Sequence, residues 1–136
     1  MRLLMIFASR FAYRTSVKAL ASAPECEEAR VVENAVVALI HAEPSDEANL
    51  SAVETKLVKN LKWAARKNET SRVVLHTFSH LGHEKASPDF TKSLLDHAET
   101  RLRQAGYEVF QTPFGYFLDL DLSAPGHSLA RLFQSF

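Results

Sequence analysis

The sequence predicts an α/β (α+β) fold in which two main helices pack against one mixed β-sheet. Short runs rich in β-branched and aromatic residues recur along the chain, and two longer segments repeat apolar residues at helical spacing. The resulting order is strand, strand, helix, strand, helix, hairpin. Such an order favours a sheet covered by helices over a helical bundle or a β-sandwich.

The first third of the chain contains two strand candidates. Residues 2–9 are rich in β-formers, and residues 31–42 form a long apolar run typical of a central strand buried on both faces. Residues 10–30 include Pro24 and several glutamates. We therefore predict a loop or irregular excursion between the two strands.

The first helix is predicted over residues 50–67, where apolar and basic side chains fall on opposite sides. We interpret the basic face as a solvated helix surface, with a local RNA-binding patch as the alternative. The basic residues of this tract are Lys56, Lys59, Lys62, Arg66 and Lys67.

A short inner strand at 72–78 and a polar, histidine-rich loop at 79–86 precede the second helix. Residues 87–89 read Ser-Pro-Asp, which is a helix-start signal, and an apolar stripe follows. Gly106 suits the position just after the helix, where left-handed backbone geometry favours glycine. We expect the helix to end there.

The last third predicts a hairpin and a short helix. Residues 107–111 and 116–122 are strand candidates on either side of a Thr-Pro-Phe-Gly turn. The tail at 129–136 repeats apolar residues at helical spacing and ends on Phe136. We expect a single domain over residues 1–136 that was cut from a longer polypeptide.

Composition narrows the functional classes. Hydrophobic residues make up 46% of the chain, and 16 basic residues balance 16 acidic ones, so a strongly basic, nonspecific nucleic-acid binder is not indicated. Cys26 is the single cysteine, which excludes an internal disulfide and favours a cytoplasmic location. The apolar run near the N-terminus is too short for a membrane span.

The histidine-rich loop first suggests a metal site built from His76, His80, His83 and Glu84. If the strand continues from His76 to His80, however, their α-carbons lie about 13 Å apart, too far for one ion. A kinked loop would still bring the last three residues together. We weigh this against surface histidines and against a binding role for His80, and predict neither a metal nor a cofactor.

Other catalytic patterns are weak. Ser79 beside His80 lacks the Gly-x-Ser-x-Gly elbow of a serine hydrolase. The acidic neighbours of Cys26 disfavour a thiolate. Asp119 and Asp121 share one strand face, which is within reach of paired-carboxylate chemistry, but alternation with apolar residues indicates the solvated side of a strand. No phosphate-binding glycine loop is present.

Two segments stand out as possible walls of one pocket. The run Phe78-Ser79-His80-Leu81 ends a predicted strand, and Pro113-Phe114-Gly115-Tyr116 combines a fixed φ, a permissive glycine and two aromatic surfaces. With Gly126-His127 near the C-terminus, and with the opening Met-Arg-Leu-Leu, these segments resemble the N-terminal editing domain of archaeal threonyl-tRNA synthetase. The resemblance covers essentially the whole chain.

This resemblance implies a D-aminoacyl-tRNA deacylase-like fold and usually a homodimer. It implies hydrolysis of serine from threonine tRNA, with threonine rejected and with the 2′-hydroxyl of the terminal adenosine assisting the attacking water. The partner would be the mischarged tRNA, and no membrane would be involved. The pocket residues implied by position are Ala42, Phe78, Ser79 and His80 around the amino acid, and Pro113, Phe114, Gly115, Tyr116 and Phe117 beside the nucleoside.

The chain departs from the family pattern at three positions. Phe117 and Leu118 stand where tyrosine and lysine are expected, and Arg131 stands where a glutamate is expected in the last helix. A cation near the ester would stabilise the charge that develops on the carbonyl oxygen. We predict that Lys18 supplies this cation and acts with His80, and we keep Lys85 as the other candidate.

Two further functions are compatible with the sequence. The chain could be a general D-aminoacyl-tRNA deacylase, which comparison of D- and L-seryl-tRNA would reveal. It could also be a non-catalytic tRNA-binding or dimerisation module with a degenerate pocket, because the lysine and the glutamate of the family pattern are replaced.

Overall fold

A computed structural model describes all residues, 1–136. Six strands form one mixed sheet, and two helices pack against one of its faces. The strand order is β4-β3-β2-β1-β5, and β6 also pairs with β1. The elements are β1 (Arg2–Lys18), β2 (Ala29–His41), α1 (Leu50–Lys67), β3 (Arg72–Thr77), α2 (Pro88–Gln104), β4 (Glu108–Gln111), β5 (Tyr116–Ser123) and β6 (Arg131–Ser135), with short 3₁₀ turns at Pro44–Ala48 and Ser128–Ala130.

The fold class is confirmed, and both helices lie where the periodicity predicted them. The Asn49 side chain caps α1 by accepting from the Ala52 N–H, and the Ser87 hydroxyl caps α2 by accepting from the Phe90 N–H. Gly106, with φ +92°, directly follows the C-terminal end of α2. The caps and the glycine are therefore local signals that the tertiary structure retains.

The prediction of a loop over residues 10–30 is wrong for its first half. β1 continues to Lys18 because residues 10–14 pair with β2 on one side while residues 10–18 pair with β5 on the other. Phe11 and Tyr13 are buried and Arg14 is exposed, which is the side-chain alternation of a strand. Only residues 19–28 form the irregular connection around Pro24.

The predicted hairpin between residues 107 and 122 is also wrong. β4 pairs in parallel with β3, whereas β5 pairs antiparallel with β1, so the two strands lie at opposite ends of the sheet order. The second half of β1 offers an unpaired edge, and β5 satisfies its backbone groups there. The turn at 112–115 therefore connects two distant parts of the sheet.

The C-terminal tail is a strand and not the predicted helix. β6 pairs antiparallel with the first residues of β1, from Arg2↔Ser135 to Ile6↔Arg131. Leu132 and Phe136 pack against the main core, but Phe133 is exposed. The apolar spacing was compatible with both structures, and the free edge of β1 decides in favour of the strand.

The two faces of the sheet bury separate cores. The larger core joins the helices to the face that carries Leu3, Val36 and Leu75. The smaller core lies on the opposite face and contains Phe11, Val37 and Val74, with Phe78 and Leu118 packed at its margin. The cavity described below lies at that margin.

Candidate active site

The candidate site is a cavity of about 260 Å³ between the end of β3 and the segment that joins β4 to β5. Its lining combines aromatic and aliphatic side chains with hydroxyl groups and two histidines, as in typical small-molecule sites. It is lined by Ala19, Leu20, His76, Thr77, Phe78, Ser79, His80, Lys85, Ala86, Pro88, Thr91, Thr112, Pro113, Phe114, Gly115, Tyr116, Phe117, Leu118 and Leu120.

Three rings on one face of β3 and its extension line the cavity wall. His76, Phe78 and His80 are two residues apart, so their side chains point the same way. The ring centroids of His76 and Phe78 are 6.2 Å apart, and those of Phe78 and His80 are 5.0 Å apart in an edge-to-face arrangement. His76 is buried, Phe78 is half-buried and His80 is exposed. The row of three rings therefore extends from the floor of the cavity to its rim.

The opposite wall is the segment 113–117, which the structure ties to the connection after β1. The Gly115 carbonyl accepts from the N–H groups of Ala19 and Leu20, at 2.7 and 3.1 Å. The Tyr116 hydroxyl donates to the Pro24 carbonyl at 2.7 Å and accepts from the Cys26 N–H at 3.0 Å. Cys26 thus contributes its backbone to this wall.

A buried histidine outside the cavity holds the loop at 79–86. Nε2 of His41 donates to the Glu84 carbonyl at 2.7 Å, and its Nδ1 accepts from the Leu81 N–H at 3.0 Å. The Arg2 guanidinium adds a hydrogen bond to the Leu81 carbonyl at 3.1 Å. These three bonds hold the loop backbone at Leu81 and Glu84. His80 directly precedes the first of these residues, and Lys85 directly follows the second.

His76 is the most perturbed titratable group of the cavity. Burial lowers its pKa to about 4 because the charged imidazolium loses its hydration. Its Nδ1 lies 2.9 Å from the hydroxyl oxygen of Thr112, which in turn lies 3.4 Å from the Leu75 carbonyl oxygen. His76 is therefore a neutral, oriented imidazole at neutral pH.

The cavity lining contains no aspartate or glutamate. Its one lysine is Lys85, which is exposed and forms no ion pair. The side chains that face the cavity can therefore donate to an anionic or carbonyl oxygen, or accept through neutral groups, but they offer no carboxylate for acid–base chemistry.

Eight of the ten residues predicted for the site line this one cavity: Phe78, Ser79, His80, Pro113, Phe114, Gly115, Tyr116 and Phe117. The other two do not reach the lining. Ala42 is buried in the main core, where its carbonyl accepts from the N–H of the lining residue Ala86 at 2.9 Å. Lys18 ends β1 and binds Glu25 at 2.6 Å, which raises the pKa of Lys18.

Sequence reasoning missed His76 as a lining residue, together with its partner Thr112 and with Thr91. A signal was present, because His76 and Phe78 alternate on β3 and so share the face of the predicted pocket. The position of Thr112 depends on the parallel pairing of β4 with β3, which the predicted hairpin concealed.

The remaining sequence signals have structural explanations. No group of three or more His, Cys, Asp or Glu side chains is arranged to hold a metal ion. Asp119 pairs with Arg14 and Asp121 with Arg10 on the exposed surface of the sheet, as the solvated-side interpretation predicts. None of the helices has the length and apolar composition needed to cross a membrane.

The basic face of α1 is exposed at Lys56, Lys59, Arg66 and Lys67, while Lys62 is half-buried. None of these five side chains is ion-paired. The Lys56 ammonium lies 5.9 Å from the centre of the Phe136 ring. The face is therefore a solvated cationic surface.

The fold is D-aminoacyl-tRNA deacylase-like. The solved structure of the c-Myc DNA Unwinding Element Binding Protein superposes with a TM-score of 0.68, covering 100% of this chain and 99% of that chain. The two sequences are 10% identical, so this likeness concerns the fold alone.

The sequence comparison is more specific. Residues 1–136 match the family model described as the archaea-specific editing domain of threonyl-tRNA synthetase, and the chain belongs to this family. The Threonine--tRNA ligase of Thermococcus gammatolerans is 36% identical over 97% of this chain, and that of Methanopyrus kandleri is 33% identical over 97%. The chain spans 22% and 21% of these two proteins, about a fifth of their length.

Proposed function

We propose that this chain edits tRNA by hydrolysing the ester that joins L-serine to the terminal adenosine of threonine tRNA, and that it spares L-threonyl-tRNA. One observation carries this proposal: in a chain of the editing-domain family, eight residues singled out for the site line one cavity. Serine and threonine differ by a methyl group, which binding alone discriminates only about 10- to 200-fold. A second, hydrolytic site is therefore useful.

The proposed reaction is attack of water on the ester carbonyl. The new bond forms between the water oxygen and the carbonyl carbon, and the ester oxygen leaves as the ribose 3′-hydroxyl after taking a proton. Following the family resemblance, we assign the orientation of the water to the 2′-hydroxyl of the terminal adenosine, and a lining without a carboxylate is compatible with this role. The protein then contributes binding, orientation and electrostatic stabilisation.

The proposed roles follow the shape of the cavity. Phe78, Ser79 and His80 contact the amino acid, with His80 at the rim beside the ester, and Ala42 supports them from the core through Ala86. The opposite wall, residues 113–117, flanks the nucleoside. We expect the added methyl of threonine to clash with the first of these walls.

Two lysines compete for the role of the cation near the ester. Lys18 remains a candidate if its ammonium exchanges Glu25 for the substrate, since its backbone pairs with Tyr116 in the cavity wall. Lys85 already lines the cavity and has no carboxylate partner. Either ammonium would stabilise negative charge on the carbonyl oxygen during attack.

Deacylation of the same tRNA charged with L-serine or with L-threonine tests the proposal. We expect faster hydrolysis of the seryl ester, and equal rates would refute the selectivity. A tRNA that ends in 2′-deoxyadenosine, charged on its 3′-hydroxyl, should be inert, whereas full turnover would exclude assistance by the 2′-hydroxyl. D-Seryl-tRNA is the control for a general D-aminoacyl deacylase.

The deacylation assay also distinguishes a non-catalytic module and a metal-dependent hydrolase from the proposed enzyme. Binding of tRNA without any deacylation would favour a non-catalytic module. We expect EDTA and Cys26→Ala to leave the rate unchanged, and Ser79→Ala to retain activity because no protein nucleophile is needed. A loss with EDTA that zinc restores would point to a metal at the histidine loop.

We also propose that the chain forms a homodimer through the edge formed by β5. Phe117 and Leu120 of β5 and Val17 near the end of β1 are exposed, at 54%, 45% and 64% of their accessible surface. Exposed apolar side chains near an unpaired strand edge favour pairing with a second copy. Light scattering should give twice the mass of the chain, and Leu120→Lys should return it to the monomer.

A further inference from the structure

His76 lies at the floor of the cavity with one ring nitrogen occupied and the other free. It is 7% exposed, and Nδ1 lies 2.9 Å from the Thr112 hydroxyl oxygen. Nε2 has no protein partner. Only one side-chain polar atom, Asn68 Oδ1, is both inaccessible to solvent and without a hydrogen bond. Because Nε2 of His76 also has no hydrogen bond, it must be accessible to solvent. The open space that His76 lines is the cavity.

The two side-chain contacts of Thr112, with the Leu75 carbonyl and with Nδ1 of His76, favour one tautomer of His76. The Thr112 hydroxyl has one hydrogen, which it donates to the Leu75 carbonyl oxygen at 3.4 Å. The same oxygen then accepts from Nδ1–H of His76, so both bonds form only in the Nδ1–H tautomer. In this tautomer Nε2 is an unprotonated acceptor that faces the open space of the cavity.

Such an acceptor requires a donor from the ligand, because burying it unpaired costs free energy. The cavity holds no carboxylate that would compensate a deeply buried ammonium. A neutral hydroxyl is therefore the better partner at this depth. In an aminoacyl ester, the ester must face the tRNA at the rim, which leaves the side chain to extend toward the floor.

We propose that Nε2 of His76 accepts a hydrogen bond from the β-hydroxyl of the esterified amino acid, which makes His76 a specificity-determining residue for hydroxylated side chains. This inference rests on the proposed function. It assigns two separate selections to the cavity: His76 rejects small amino acids without a hydroxyl, such as alanine, and the wall near His80 rejects the larger threonine.

The test compares L-seryl and L-alanyl esters of the same tRNA with the native chain, His76→Phe and His76→Gln. Phenylalanine keeps the ring without a nitrogen, while glutamine offers an acceptor oxygen near the position of Nε2. We expect the native chain to favour the seryl ester about tenfold or more, since an unpaired buried acceptor penalises alanine. In His76→Phe the preference should fall to within about twofold with the alanyl rate retained, and His76→Gln should restore it.

Equal losses on both esters in His76→Phe would overturn the assignment, because the contact would then involve a group that serine and alanine share. An unchanged preference would overturn it as well. Binding of 3′-seryl- and 3′-alanylamino-3′-deoxyadenosine, which carry a stable amide in place of the ester, separates recognition from catalysis. Preferential binding of the seryl analogue that His76→Phe abolishes supports this inference even if no ester is hydrolysed and the proposed function fails.

Discussion

Gly115 lies so close to Ala23 that a Cβ atom built on the glycine would stand 2.8 Å from the Cβ of Ala23. Gly115 also has φ +87°, and its carbonyl accepts from the Ala19 and Leu20 N–H groups. One residue therefore joins the wall at 113–117 to the connection after β1. Glycine is required there both for its backbone angle and for its missing side chain.

Gly115→Ala should destabilise the protein more than Gly106→Ala does. Both glycines have a positive φ, but a Cβ on Gly106 would meet nothing within 4 Å, so that variant isolates the backbone strain, about 1 kcal/mol. At Gly115 the clash with Ala23 adds to the strain, and we expect a total of about 2–4 kcal/mol. Urea unfolding measures both variants, and equal losses would show that the connection moves away freely.

Acid should destabilise the native chain through His76. Its pKa is about 4 in the folded state against 6.5 for the free group, so between these pH values the unfolded chain binds more protons. The contribution of His76 to the free energy of unfolding is fully present above pH 6.5 and decreases as the pH drops toward 4. Below pH 4 this group causes no further loss. The total is at most about 3 kcal/mol.

The comparison with His76→Phe isolates this effect. Glu43 and Asp96 also have lowered pKa values, through the N-terminal ammonium and Lys92 respectively, and lose stability in acid. Their contribution is common to both proteins. The free energy of unfolding of the native chain should therefore fall more steeply from pH 6.5 to 4 than that of the variant, and parallel curves would contradict the prediction.

His41→Phe should loosen the loop at 79–86. The substitution leaves the half-buried Leu81 N–H and the Glu84 carbonyl without their His41 partner, and a group left unpaired away from water costs about 1–3 kcal/mol. We expect a loss of about 2–4 kcal/mol in the free energy of unfolding and faster amide exchange at Leu81. Arg2→Met removes one bond to the same loop and the ion pair with Glu43. It should cost less, because the Arg2 side chain is 41% exposed.

The sequence was sufficient for elements whose signals are local. The two helices follow from apolar spacing, caps and Gly106, and the ends of β2 and β3 follow from apolar runs bounded by polar segments. The sequence was insufficient where the secondary structure of a segment depends on which strand it pairs with. The strand character of residues 10–18 and of β6 depends on the two free edges of β1, and an edge is a property of the assembled sheet.

The site shows the same division. The walls at 78–80 and 113–117 were predictable because each is a continuous segment with a distinctive composition. The place of His76 in the cavity was not predictable, because it depends on Thr112 lying beside β3. Thr112 reaches that position through the parallel pairing of β4 with β3, across more than thirty residues of intervening chain. That Lys85 lines the cavity was not predictable either, because its position depends on a loop that the buried His41 holds in place.

The two lysines proposed for the ester differ in their contacts, and we expect Lys85→Met to lower deacylation about tenfold, about 1.4 kcal/mol of barrier. Lys85 lines the cavity and is unpaired, so removing its ammonium removes a cation that can face the developing oxyanion. Lys85→Arg should retain most of the activity, because a charge remains.

Lys18→Met is the matched control: it breaks only the exposed pair with Glu25, and its rate should stay within about twofold of the native rate. A tenfold loss in Lys18→Met with normal activity in Lys85→Met would instead mean that the Lys18 ammonium leaves Glu25 for the substrate, and Glu25→Gln, which frees it, should then raise the rate.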